Sequence, residues 1–202
     1  MPDFEGSDPA AGTHLRGDET VVKLLIGGGL GAGKTTLVGT LSEIRVLSTE
    51  ETMTRASEAT DDLAGLPDKT TTTVAMDFGR ITLDEQHVLY LFGAPGQPRF
   101  RPILQHLARG ALGALVLVDT SRLEDAYPVI GEVEGLGLPY AVAVNRFPTS
   151  PSYPVRQLRS AMALPEHTPL LVCDARQRAS ARTLLIEFVE FLLTRYPEPA
   201  PR

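Results

Sequence analysis

Gly28-Gly29-Leu30-Gly31-Ala32-Gly33-Lys34-Thr35 is the stretch on which the reading of this chain turns. It contains the pattern Gly-x-x-x-x-Gly-Lys-Thr and separates two segments of different period. Before it, Val21–Gly27 is a short apolar run stopped by glycines, the pattern of a buried strand. After it, residues 34–46 carry Leu37, Leu41 and Ile44 at helical spacing. Strand, glycine-rich turn and helix in that order form the context in which such a loop binds phosphate. The glycines let successive backbone N–H groups converge on phosphate oxygens, and the helix N-terminus adds partial positive charge. The candidate nucleotide-binding residues are therefore those eight together with Thr36. Lys34 is expected to reach the β- and γ-phosphates, and the Thr35 hydroxyl to ligate Mg²⁺. The alternative is a glycine-rich turn followed by a chance Gly-Lys-Thr. Average composition gives such a match in a chain of this length on the order of one per cent of the time, and the flanking strand and helix lower that further.

Working outward, strand-like and helix-like segments alternate. Val74–Leu83 alternates apolar and polar residues, and Asp84-Glu85-Gln86-His87 turns it into Val88–Phe92, a hairpin. Leu112–Val118, Tyr140–Val144 and Pro169–Val172 read as further strands, with helices near 122–134 and 153–163. Ala179–Arg195 closes the core as a helix with Leu184, Leu185, Phe188, Phe191 and Leu192 on one face. The alternation predicts an α/β, three-layer fold. Its six-stranded, mostly parallel sheet has one antiparallel edge hairpin, and ligands lie at the strands' carboxyl ends. Residues 48–72 are polar, net acidic, rich in threonine and without clear period, and are read as a long loop that is either functional or disordered. Residues 1–20 read as a disordered acidic tail, 21–195 as one domain, and 196–202 as a Pro-rich tail that cannot sustain a helix.

Composition narrows the class. With 202 residues, 43% apolar and 22% charged, the chain is long enough for one well-cored soluble domain. A net charge of −6 speaks against a broad nucleic-acid footprint. No apolar run approaches the roughly 20 residues of a membrane span, and neither end carries a lipidation pattern. The expectation is a cytoplasmic protein without direct membrane insertion, reaching a membrane only through partner proteins. Cys173, the single cysteine, is read as a small residue at a strand end rather than a redox centre.

Leu89-Tyr90-Leu91-Phe92-Gly93-Ala94-Pro95-Gly96-Gln97 is a second glycine-rich segment after a strand. It looks like the Asp-x-x-Gly-Gln segment of Ras-like GTPases. Taken with the phosphate loop, the stretch Thr73–Gly79 and Asn145-Arg146-Phe147, it makes the core from about residue 20 to 195 resemble that family throughout. The chain is most similar to bacterial members, the conservon-type small GTPases of actinobacteria and the related gliding-motility polarity GTPases. The shared stretches are Val-Ala-Met-Asp-Phe-Gly, Pro-Gly-Gln-x-Arg-Phe and Val-Asn-Arg-Phe.

The resemblance implies specific roles. Gln97 would orient the attacking water, with Lys34 as its catalytic partner, and the Gly96 N–H would bond the γ-phosphate. Thr73 resembles the threonine that completes the Mg²⁺ shell, with Thr72 the next candidate in a run of threonines. Asn145 and Arg146 would hold the base, and Ala175 would offer its N–H to a guanine carbonyl from the Cys173-Asp174-Ala175-Arg176 loop. The implied ligands are GTP or GDP with Mg²⁺, and the implied partners are a regulator of the roadblock type and effector proteins.

Three positions depart from the pattern. Gly93 replaces the aspartate that holds a Mg²⁺-bound water. Leu30 stands where many GTPases have glycine and can crowd Gln97, which predicts slow intrinsic turnover. Pro148 replaces the carboxylate that reads guanine, and Asp174 is either its substitute or a solvated turn aspartate. Arg99 and Arg101 are candidates for an arginine acting in cis. Two other readings stay open: a degenerate module that holds ATP or GTP with little hydrolysis, and a P-loop kinase or transport ATPase with Asp119 as its Mg²⁺ aspartate.

Overall fold

A computed structural model describes residues 17–53, 72–97 and 101–196 of the chain. Those residues form seven strands and five α-helices in the order β1 (Thr20–Gly28), α1 (Lys34–Leu41), β2 (Leu47–Met53), β3 (Thr72–Thr82), β4 (His87–Gly93), α2 (Arg101–Ala108), β5 (Gly113–Val118), α3 (Tyr127–Gly135), β6 (Tyr140–Asn145), α4 (Val155–Ala161), β7 (Leu170–Cys173) and α5 (Arg178–Arg195). They make one sheet in the order β2-β3-β4-β1-β5-β6-β7. β1 runs parallel to both neighbours, as do β5, β6 and β7 to theirs. β3 is antiparallel to β2 and to β4.

The central strands are buried on both faces. All six positions of β5 and all six of β6 are buried, which is why they read as continuous apolar runs. One core cluster packs α1 and α5 against one face of the sheet through Leu24, Leu37, Leu91, Leu117, Phe188 and Leu192. The other packs α2, α3 and α4 against the opposite face through Leu25, Leu104, Val116, Ile130, Val142 and Leu158. On α5, Leu184, Leu185, Phe188 and Leu192 are buried, and Phe191 packs against them partly covered.

The six strands expected from the sequence are all present, and the fold is the three-layer P-loop architecture expected of them. A seventh strand lies where a loop was expected. Residues 47–53 pair with β3 at the sheet edge, from Leu47 opposite Phe78 to Met53 opposite Thr72. With one partner and an open side, an edge strand tolerates polar and acidic residues that a central one would not. α2 is also an addition to the sequence reading, and its Pro102 falls in the first helical turn, where proline costs least. β1 begins at Thr20, one residue inside the stretch read as a tail. The readings for residues 1–16, 54–71, Arg99 and 197–202 lie outside the described residues.

β1 is where the chain departs first to one side of the sheet, through β4, and then to the other, through β5. The loop after β1 therefore opens at the topological switch point, where open α/β sheets bind their ligands. Among the described residues no helix is long and apolar enough to cross a membrane.

Candidate functional site

The phosphate loop joins β1 to α1. Gly33 caps α1 with φ 98°, and a Cβ there would meet the Asn145 Nδ2 at 2.3 Å. Only glycine meets both demands. Lys34 opens the helix but folds back over the loop. Its Nζ donates to the Gly28 carbonyl at 2.9 Å and the Gly29 carbonyl at 2.7 Å. The side chain is buried, and burial pushes its ammonium down to about 8, against a partial upward pull from the Asp77 carboxylate.

The next side chain, Thr35, reveals a residue whose part in the site the sequence reading missed. Its Oγ1 donates to Asp77 Oδ2 at 2.5 Å. Asp77 is a buried carboxylate on β3 and stands directly opposite Gly93 in the antiparallel register. A Cβ on Gly93 would lie 3.0 Å from the Asp77 Cβ and 3.2 Å from Oδ2. A buried carboxylate thus stands opposite Gly93, and Gly93 leaves the room for it. A threonine hydroxyl and a buried carboxylate side by side at a phosphate loop are hard oxygen donors of the kind Mg²⁺ takes alongside phosphate oxygens. The donor set fits that ion.

Across the loop, the segment after β4 is laid against the glycines. A Cβ at Gly96 would come within 2.7 Å of the Gly29 carbonyl group and the Leu30 nitrogen. This brings Gly96 and Gln97 to a cavity of about 310 Å³ that Gly31, Gly33, Lys34, Thr35, Thr36 and Asp77 also line. Leu30 is 57% exposed at its mouth. Gln97 and Leu30 also face a second, mainly apolar cavity of about 270 Å³ against α3, lined further by Leu104, Pro128 and Val129.

The other half of the cleft is held by Asn145 at the end of β6. It is buried, donates from Nδ2 to the Ala32 carbonyl at 3.0 Å, and accepts the Ala175 N–H at 2.9 Å. Asn145 therefore ties the phosphate loop to the loop after β7. Arg146 is exposed, and its backbone N–H donates to the Cys173 carbonyl at 2.7 Å. The Phe147 ring stands beside Gly33, 3.7 Å from where a Cβ would lie. Cys173 is buried, and desolvation pushes its thiol up to about 12, in keeping with an inert strand-end residue.

Several expected contacts take other forms. Both oxygens of Asp174 are engaged by the Arg176 guanidinium, at 2.9 Å to Nε and 2.8 Å to Nη2, and Gln177 donates at 3.1 Å. The Arg176 hydrogen bond holds that carboxyl well below the usual range. The Ala175 N–H, expected to face a guanine carbonyl, is directed at Asn145. Thr73 pairs through its backbone with Thr52 on β2. It lies four residues along β3 from Asp77. Asp119 accepts from the Ser121 N–H at 2.9 Å and the Ser150 hydroxyl at 2.6 Å, bracing the base loop. It is Asp77, not Asp119, that meets Thr35.

Fold and loop define the class: a P-loop nucleotide-binding protein with the three-layer P-loop NTPase fold. Residues 26–195 match the family described as conserved hypothetical ATP binding protein, and the chain belongs to that family. No curated protein matches it. Among solved structures it is similar to the G domain of the T. maritima FeoB iron transporter, with TM-score 0.56 at 15% identity, covering 85% of this chain and 99% of that one. It is also similar to the cytosolic domain of FeoB in a GDP form, with TM-score 0.57 at 15% identity, covering 90% of this chain and 66% of that one. The chain spans just under two thirds of that cytosolic domain. At this identity the likeness is one of fold.

Proposed function

We propose that this protein is a nucleoside-triphosphate-dependent switch that binds GTP or GDP with Mg²⁺ and hydrolyses the triphosphate slowly. The observation that carries the reading is the Thr35–Asp77 pair beside Lys34, with Gly96 and Gln97 facing it across one cavity. Lys34 binds the β- and γ-phosphates, and the Gly96 N–H bonds the γ-phosphate. Thr35 and Asp77 would hold Mg²⁺, which when bound would offset phosphate negative charge. Gln97 orients the attacking water. Catalysis of this kind is positioning and charge stabilisation, and the exposed Leu30 at the cavity mouth favours a slow rate. Contacts made only with the γ-phosphate give the differential binding a switch requires.

A FeoB cytosolic domain in GDP form among the similar structures supports a nucleotide in this cleft. The resemblance to conservon-type and gliding-motility GTPases supports signalling in a bacterial cytoplasm. It also favours a roadblock-type regulator as partner, with any membrane contact made through other proteins. Arg99 and Arg101 follow Gln97 closely in the chain, and the role proposed for them is that of an arginine acting in cis on the phosphates.

A second reading is favoured by a specific observation. With Pro148 in place of a carboxylate, Asp174 bound to Arg176, and the Ala175 N–H bound to Asn145, the base half holds few free groups to tell guanine from adenine. A switch with relaxed ATP/GTP specificity fits both this and the family description. Pairwise competition of GTP, GDP and ATP for nucleotide-stripped protein with Mg²⁺ separates the two. A strong guanine preference supports the first, equal binding of ATP the second, and no binding removes both. Turnover of wild type against Gln97→Leu tests hydrolysis: about a tenfold fall at unchanged affinity is expected, and equal rates would remove Gln97 from the mechanism.

A further inference from the structure

Arg122 belongs to none of the motifs read from the sequence. It lies in the turn between β5 and α3, and its Nη2 donates to the Leu30 carbonyl at 2.6 Å. Its Nε is 3.7 Å from Asp125 Oδ2, an ion-pair distance rather than a hydrogen bond. A Cβ on Gly31 would come within 2.8 Å of Nη2. The guanidinium is therefore laid against the Leu30–Gly31 peptide, beside the cavity that Gln97 also lines.

A trans peptide is planar, and its C=O and N–H point in opposite directions. A guanidinium that holds the Leu30 carbonyl from the α3 side thus turns the Gly31 N–H the other way. Gly31 lines the phosphate cavity together with Lys34, Thr35 and Gly96. A charge-assisted hydrogen bond is among the stronger kinds, and drawing electron density toward the carbonyl oxygen makes the N–H of the same peptide a better donor. We propose that Arg122 is a positioning residue for phosphoryl transfer, holding and polarising the Leu30–Gly31 peptide so that the Gly31 N–H faces the bound triphosphate.

This inference rests on reading the cleft as a triphosphate-hydrolysing site. It differs from an arginine reaching across the phosphates, because the guanidinium is already engaged on the loop's own backbone. The added donor strength acts most where negative charge builds during the reaction, so it favours the transition state over the bound diphosphate. A simple tether between α3 and the loop would have no such preference.

The test compares Arg122→Ala and Arg122→Lys with wild type in the full chain, reading affinity for the nucleoside diphosphate with and without aluminium fluoride. The alanine variant is expected to bind the diphosphate within about threefold of wild type and the fluoride complex about tenfold more weakly, with lysine restoring part of the difference. The Gly31 amide proton in the Mg²⁺–diphosphate complex is expected to move upfield on loss of the guanidinium. Equal weakening of both ligands, or a melting-temperature loss with an unchanged Gly31 resonance, overturns the proposal. If wild type neither hydrolyses nor gains affinity with fluoride, the hydrolysis reading fails and the proposed catalytic role fails with it. The Gly31 resonance then separately tells whether Arg122 orients the peptide.

Discussion

The two halves of the cleft are built on opposite plans. In the phosphate half, groups from β1, α1, β3 and the segment after β4 converge on one space, and Lys34 and the Thr35–Asp77 pair face into it. In the base half, polar groups satisfy one another: Asn145 with Ala32 and Ala175, Asp174 with Arg176 and Gln177. Lys34 is also bonded within the protein, to the Gly28 and Gly29 carbonyls. Exchanging neutral carbonyls for phosphate oxygens, however, gives its ammonium charge-assisted bonds to anionic partners. The groups of the base half gain little from a ligand that merely replaces their partners. Affinity is therefore expected to come from the phosphates and discrimination between bases to be weak.

The most direct way to break this contrast is Lys34→Ala. It removes the buried cation that the described residues bring to the phosphate half and leaves the base half intact. Nucleotide affinity is expected to fall at least about 100-fold, the scale of a lost charge-assisted contact of roughly 3 kcal/mol. Titration calorimetry with GDP and ADP reads it, and retained affinity would show that the base half carries binding after all.

Asp77→Ala is the next largest. Binding without Mg²⁺ is expected to persist, while the gain in affinity on adding Mg²⁺ drops about tenfold or more, in line with the loss of one hard oxygen ligand. The paired change Asp77→Gly with Gly93→Asp moves the carboxylate to the neighbouring strand and is expected to recover much of the gain. Gly93→Asp alone crowds the existing carboxylate and should lower the melting temperature. If Mg²⁺ helps the Asp77→Ala protein as much as wild type, Asp77 has no part in holding the ion.

A pH titration sharpens the comparison on its phosphate side. Lys34 in the free cleft is pushed down to about 8 from the ordinary 10.5. Below pH 8 the folded and unfolded chains both hold this proton, and the group adds no pH dependence. Between about 8 and 10.5 the unfolded chain binds more protons, so the nucleotide-free fold gains stability as pH rises. Phosphate binding needs the charged amine and draws the proton back. Diphosphate affinity should therefore weaken above pH 8 by up to about tenfold per unit. Calorimetry at pH 9 in two buffers of different ionisation enthalpy should show proton uptake, and its absence would place Lys34 fully charged in the free cleft.

How far this cleft was legible in the sequence depends on whether its parts are local. The phosphate loop was legible because strand, glycines, lysine and helix are contiguous. β5 and β6 were legible because burial on both faces leaves an unbroken apolar run. Asp77 was reachable yet missed. The turn at Asp84–His87 sets Thr82 opposite Val88, and counting back five pairs along the hairpin puts Asp77 opposite Gly93. The missing carboxylate was a question of register rather than motif. β2 was not legible, because an acidic edge strand such as Leu47–Met53 owes its conformation to pairing with β3 and not to its own pattern. Arg122 left no local signal either, since its partner at Leu30 lies 92 residues away in the chain. Nor could the sequence tell that Asp174 would be claimed by its neighbour Arg176, since an aspartate in a turn reads alike whether it faces solvent, a ligand or an arginine.

Pro148→Asp carries the smallest expected effect and bears most directly on the base half. It restores an acceptor on the loop that Asn145 and Ser150 already brace, where the present residue is exposed and offers only a carbonyl. A carboxylate reaching the guanine ring N–H and amino group would add hydrogen bonds that adenine cannot match, and such a site discriminates strongly when it is well formed. Here the neighbouring Ala175 N–H is committed to Asn145, so only part of that discrimination is available. The expected result is a guanine preference raised about fivefold to tenfold over wild type, near the 1 kcal/mol of one modest hydrogen bond, with Mg²⁺ dependence unchanged. An unaltered ratio of GDP to ADP affinity would mean that the base does not lie against the 145–148 loop. A preference already strong in wild type would place the discrimination in groups other than a carboxylate, with Asn145 and the backbone of the Cys173–Arg176 loop first among them.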